Sequence, residues 1–453
     1  MNDIEHALAR IPEYDRFYTV DELFAEARRV GEAHPDLASY EEVGVSSDGE
    51  PIPMVRIGDG PEHILLFACP HPNEPIGAML VHFLLNELIE DASLRQGRTW
   101  FLLPCVDPDG TRLNEGWFAG PYTIQNYARH FYRPRSEEQV EWTFPIHYKD
   151  LHFDTPIPET QALIRAFDAA QPKLVYSLHN AGFGGVYYYL SHDLPDVYDA
   201  FHQIPERRGL ALSLGEAEMP WAVEFAPAVY KTSSITEAYD YHETYGTVSP
   251  AEFIQGGGSS YDYLLERGDP VMLIAELPYF QCPQIADQSV TQHTRREVIV
   301  AGVEESRVMV DTLAALLERM APEMTLDTRF YRTVASFTVQ MQQGLESKRA
   351  WAEEAEGMGA LATVAQEVDE RYVGSFYRLL IASMLRRALE LQVVETPSEN
   401  LEACQAELET LLTRWAEHLE SGLEYSAIPI KTLVEVQYAA LLAVLGSARV
   451  QAG

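Results

Sequence analysis

The sequence predicts an α/β domain, a mixed and mostly parallel central sheet flanked by helices, followed by an all-α helical bundle. Three observations carry this. Four short apolar runs, ILLFAC (64–69), WFLLPCV (100–106), KLVYSLH (173–179) and VMLIAEL (271–277), lack polar alternation and read as strands buried on both faces. Stretches with helical apolar spacing separate them, as from Pro75 to Glu90, where Ile76, Met79, Leu80, Phe83, Leu84 and Leu88 form one stripe. Strands alternating with helices imply parallel pairing through helical crossovers. From about residue 322 the strand patterns vanish, so the expected domains are 1–321 and 322–453.

In chain order, TVDELFAEARRVGEAHP is an amphipathic helix capped by Thr19 or Asp21. YEEVGVSSDGEPIPMVRIG is two strands turned at Asp48-Gly49. The four buried strands follow with their helices. Four long helices are expected near 325–355, 362–394, 398–424 and 429–450, punctuated by Gly357, Gly359, Pro397 and Pro429. Their charged faces read as solvated and their apolar stripes as bundle core, through which a homo-oligomer could form.

Bulk properties narrow the function. A chain of 453 residues, 46% apolar and 11% aromatic, can bury a large core. Its 33 basic and 69 acidic residues give a net charge of -36, which repels phosphate backbones and anionic membranes; no nucleic-acid or membrane partner is expected. Cys69, Cys105, Cys282 and Cys404 are too scattered for a disulfide framework or a thiolate metal knot. MNDIEHALARIPEYD lacks the basic-then-apolar layout of a leader, so the expected location is cytoplasmic.

The chemistry sits at strand ends, where open α/β sheets bind ligands. His71-Pro-Asn-Glu74 lies between the first buried strand and the helix after it. With 14 histidines, about one H-x-x-E match is expected by chance, so placement is what adds weight. A catalytic zinc site takes three His/Glu ligands and leaves one position open. His179, followed by Asn180 and a Gly-rich loop, ends another buried strand and supplies the third ligand. The chemistry then needs a carboxylate that does not bind metal, to take a proton from water. Glu276, an acid in an apolar strand, is the candidate base, since a buried carboxylate is costly unless paired or functional.

With DPDG at 107–110 and GGGSSYDY at 256–263, these motifs occur in the order seen in the zinc carboxypeptidases of the carboxypeptidase A type, which residues 1–320 resemble. The resemblance implies one zinc ion per chain on His71, Glu74 and His179, Glu276 as general base, and cleavage of a C-terminal amide bond. It also implies an arginine that stabilises the oxyanion, for which Arg112 holds the corresponding place after the Asp-Pro-Asp-Gly turn. The family's Asn-Arg grip on the terminal carboxylate is altered here. Arg129 keeps the arginine without the asparagine, and Arg133 and Arg135 are substitutes, a planar guanidinium being suited to a carboxylate. The position of the family's substrate-side tyrosine is Ile254, a role that Tyr241 or Tyr245 could fill. Tyr261 falls at the floor of the side-chain pocket, where an uncharged residue gives no basic preference. Asn180 completes the expected substrate-binding set. The altered arginine region leaves an alternative open, a zinc amidase or deacylase acting on an acylated amino acid or cell-wall-type peptide. A further alternative is a non-catalytic binding protein on a peptidase fold.

Overall fold

The computed structural model describes residues 2–451. Nine strands form one sheet: β1 (Ala38–Val45), β2 (Pro51–Gly58), β3 (Glu62–Ala68), β4 (Arg98–Leu103), β5 (Leu174–Leu178), β6 (Tyr187–Leu190), β7 (Glu224–Ala226), β8 (Val229–Lys231) and β9 (Val271–Glu276). Their spatial order is β1-β2-β4-β3-β5-β9-β6-β8-β7. The four apolar runs are the four central strands, mutually parallel in the order β4-β3-β5-β9. The hairpin β1-β2 and strand β6 flank them antiparallel.

The doubly apolar runs follow from burial on both sides. In β3, Ile64, Leu66 and Ala68 join one core while Leu65 and Phe67 join the other; β5 divides in the same way. Helix α1 (Val20–Ala33) opens at Thr19, whose hydroxyl accepts from the Glu22 amide while the Glu22 carboxylate accepts from Thr19 N–H. Helices α2 (Ile76–Glu90) and α3 (Pro158–Ala170) cover opposite faces. The approach of α2 to β5 requires glycine at 77, where a Cβ would lie 2.3 Å from the Leu178 Cβ. That contact brings the two ligand-bearing loops together.

Helix α4 (Ile235–Tyr245) precedes β9, and from Arg295 onward the chain is mostly helical: α5 (Arg295–Met320), α6 (Arg329–Glu354), α7 (Gly374–Glu395), α8 (Glu399–Gly422) and α9 (Ile430–Leu445). The apolar stripes of α7, α8 and α9 belong to the same continuous core as the α2 face of the sheet. The Tyr176 hydroxyl donates to the Gln437 carbonyl, and Gln437 Nε2 donates to the carbonyl of His179, both across a buried seam. The helical region therefore braces the strand that carries a candidate ligand. Among the described residues no helix is long and apolar enough to cross a membrane.

Asp107 caps the helix Pro108–Asn114, accepting from the Gly110 amide at 2.8 Å. Its burial pushes its pKa up to about 8. Between the ordinary aspartate pKa and about 8, the folded state therefore holds a proton that the unfolded state has lost. This contribution to stability is present at low pH and is lost as pH rises through 8. Asp107→Asn keeps the cap acceptor and removes the titration. Urea unfolding should show the variant gaining on the parent by at least about 1 kcal/mol between pH 5 and pH 8.5.

Candidate active site

Chain direction changes sharply where β3 ends. Cys69 has φ 53, a left-handed conformation uncommon outside glycine, and the turn delivers His71 and Glu74 to the C-terminal edge of the sheet. His71 Nδ1 lies 3.2 Å from Glu74 Oε2, and His179 Nδ1 lies 3.6 Å from the same oxygen. The three possible ligand atoms fall within 4.8 Å of one another, and all three residues are buried. Donors about 2.0–2.1 Å from one tetrahedral centre stand about 3.4 Å apart, so the set fits zinc. The other His71 nitrogen, Nε2, is buried without a protein partner.

The His179 ring is oriented from behind. Its Nε2 lies 2.7 Å from Ser177 Oγ, whose single proton is donated to Glu141 Oε1 at 2.8 Å. The Ser177 hydroxyl must then accept from His179 Nε2–H, which turns Nδ1 toward Glu74 as the nitrogen that would bind a metal on losing its proton. Glu141 also accepts from the Ser260 amide at 2.9 Å and the Ser260 hydroxyl at 3.1 Å. Burial alone would raise its pKa, but the His179 ring and the Ser260 amide outweigh that and hold it down to about 2. Glu141 has no sequence signal, since it lies in the irregular stretch EEQVEWTF with no motif to mark it. Glu141→Gln should weaken zinc affinity about 10–100-fold, measured by competition with a chromophoric chelator.

Glu276 ends β9, its Oε1 3.6 Å from His179 Nδ1. Burial, together with the charges of Glu74 and Glu218, raises its pKa well above the usual carboxylate value, against the pull of His179. The His179 pKa reaches about 9: desolvation lowers it, but the Glu141 carboxylate 3.6 Å from Nε2 and the charges of Glu276 and Glu74 prevail. His71 falls to about 4, through burial and the nearby Arg133 charge, against Glu74. Carboxylates crowding His179 from both sides are an environment short of positive charge. A divalent cation would supply it.

These groups open onto a cavity of about 370 Å³. Trp142, Tyr189, Trp221, Phe253 and Ile274 give its walls apolar surface, and Gln340 of α6 contributes from the helical region.

A sequence profile of the zinc carboxypeptidases matches residues 24–281, more than half of the chain. The chain belongs to the zinc carboxypeptidase family. Carboxypeptidase B of Astacus astacus is 24% identical over 105 residues, 22% of this chain and 35% of that protein, so the match spans about a third of the relative's length. Among solved structures, bovine thrombin-activatable fibrinolysis inhibitor in complex with tick carboxypeptidase inhibitor is similar at 11% identity. It covers 58% of this chain and 86% of its own, with a TM-score of 0.39. Carboxypeptidase A of Helicoverpa armigera is similar at 15% identity, covering 61% and 69%, with a TM-score of 0.38.

Several residues expected at the site of this family member lie elsewhere. Arg112 projects from the helix Pro108–Asn114 toward Asp21 at 2.6 Å and Glu50 at 3.3 Å, away from the cavity. The helix turns it outward, which linear spacing does not reveal. Arg129 is half exposed and pairs with Glu409 at 3.5 Å. Arg135 is spent on Glu137 and Glu138. Arg133 does reach the cavity, its Nη1 3.2 Å from Glu74 Oε1. It is the one Lys or Arg side chain lining the cavity among the described residues. Asn180 does not line the cavity: its backbone N–H donates to Glu74 Oε2 at 3.2 Å, and its side-chain Oδ1 accepts from Ile76 N–H and the Tyr279 hydroxyl. Tyr261 lines the wall. Tyr241 packs on Trp221 and Tyr245, and neither tyrosine lines the cavity. His242 is buried in the wall, its ring centroid 3.7 Å from that of Phe253.

Proposed function

We propose that this chain is a zinc-dependent peptidase that removes the C-terminal residue of a peptide, with His71, Glu74 and His179 holding one zinc ion. The observation that carries the reading is Glu276, a carboxylate free of the ligand set, 3.6 Å from His179 on the wall of a cavity large enough for a residue side chain. When bound, zinc supplies Lewis acidity toward water and the scissile carbonyl. Glu276 takes the proton of the attacking water on its carboxylate and returns it to the departing amine. Arg133 places its guanidinium beside the position where negative charge grows on the carbonyl oxygen. The buried set Ser177, Glu141 and Ser260 keeps His179 in one tautomer.

One observation favours a second reading, the amidase or deacylase. Arg133 already bonds Glu74, and no further Lys or Arg among the described residues lines the cavity to receive a terminal carboxylate. Matched peptides ending in a free acid or in a carboxamide, incubated with zinc-loaded protein and followed by mass spectrometry, separate the two. Cleavage confined to the free acid supports the carboxypeptidase. Equal cleavage of both supports the amidase. Cleavage of neither, nor of N-acyl amino acids, overturns both.

A further inference from the structure

We propose that Glu218 makes the cavity selective for substrates carrying an ammonium or guanidinium side chain, an inference that rests on the amide-hydrolase reading above. Glu218 belongs to the irregular segment 213–223, which is pinned at three points. Glu216 is gripped by Arg295 through Nε at 2.8 Å and Nη2 at 2.6 Å. Trp221 Nε1 donates to Ser233 Oγ at 2.7 Å. Glu218 Oε2 itself accepts from the Tyr189 hydroxyl at 2.9 Å and the Tyr187 hydroxyl at 3.3 Å. The two carboxylates of this segment thus differ in kind. Glu216 has an arginine, whereas Glu218 has only phenols, with no cationic side chain within 4.0 Å among the described residues.

Charge balance around the site singles out the same residue. Glu74, Glu141 and Glu276 contribute three negative charges, which Arg133 and a divalent metal offset. Glu218, an exposed residue on the cavity wall, is the carboxylate left over. The adjoining cavity that Glu218 also borders is lined by two cationic side chains, Lys348, held by Glu370 at 2.5 Å, and Arg378, which donates to the Ser375 hydroxyl at 3.0 Å; neither lies within 4.0 Å of Glu218. Next to Glu218 the wall is apolar and aromatic: Met219, Trp221, Tyr189 and Ile274. Such a wall buries the alkyl stem of a lysine or arginine, and the Trp and Tyr rings attract its charged head. The position of Tyr261 gives no sign of this, because the charge comes from a different loop, folded back over β6.

The test uses zinc-loaded full-length protein and two matched peptide series, varied on either side of the scissile amide among Lys, Arg, norleucine and Glu. The expected result is a kcat/KM for Lys or Arg about tenfold or more above norleucine on one side. Glu218→Gln should shrink that ratio, and Glu218→Arg should invert it in favour of Glu. Turnover without a charge preference, or a ratio indifferent to Glu218→Arg, overturns the proposal while leaving the hydrolase reading intact. Calorimetry of n-butylammonium binding to the zinc-loaded Glu276→Gln protein provides a readout independent of turnover. Binding that is lost in the Glu218→Gln, Glu276→Gln double variant supports cation recognition even if no amide is cleaved, in which case the hydrolase reading alone fails. Absence of binding overturns the role of Glu218.

Discussion

Glu276→Gln is expected to retain one zinc ion per chain and to lose about 10²–10⁴-fold in kcat. The carboxylate lies 3.6 Å from His179 Nδ1 but outside the ligand set His71, Glu74 and His179, so exchanging one oxygen for an amide leaves the metal donors untouched. What disappears is, among the described residues, the buried carboxylate on that wall left free to take a proton and return it. Glu141, the other buried carboxylate there, already accepts from Ser177 and Ser260. A neutral Gln also removes one of the charges that hold the His179 pKa high. Two measurements are needed together: zinc content by atomic absorption, and initial rates on a peptide the parent cleaves. Full zinc with kcat within threefold of the parent would remove Glu276 from the base role. Lost zinc would make it a ligand instead.

The fold was legible because burial leaves a simple mark. Strands covered on both faces cannot alternate, and ILLFAC and VMLIAEL do not. His71, Glu74, His179 and Glu276 stood out because they lie at or just beyond the ends of such runs, and the structure brings these four side chains together. Of the four arginines, Arg133 lines the cavity as expected and the other three, Arg112, Arg129 and Arg135, do not. Arg112 and Arg129 lie on short helices whose rotation apolar periodicity leaves open. Glu141 and Glu218 sit in irregular segments with no motif to mark them; Glu141 proves buried against Ser260, while Glu218 stays exposed and is distinguished by the Tyr189 hydroxyl beside it. The C-terminal stripes announced a core but not its partner, which is the central sheet itself.

Arg133→Met should lower kcat by about 10²–10³-fold, while Arg112→Ala should stay within about threefold of the parent. Arg133 reaches the cavity with Nη1 3.2 Å from Glu74 Oε1, whereas Arg112 is engaged by Asp21 and Glu50. A guanidinium fixed beside the metal set meets the charge of a tetrahedral oxyanion without reorganising, which a solvated arginine cannot do. Because Arg133 also hydrogen-bonds a ligand, zinc affinity must be measured on the same preparation, and rates compared at saturating metal. The split between kcat and KM then assigns the role. A loss mainly in kcat, the same for free-acid and carboxamide substrates, marks oxyanion stabilisation. A loss mainly in KM and only for free-acid substrates makes Arg133 the receptor for a terminal carboxylate, and the chain a carboxypeptidase that grips its substrate with one arginine. An unchanged rate for Arg133→Met, with Arg112→Ala impaired, would return the oxyanion role to Arg112 and require the helix Pro108–Asn114 to turn inward during catalysis.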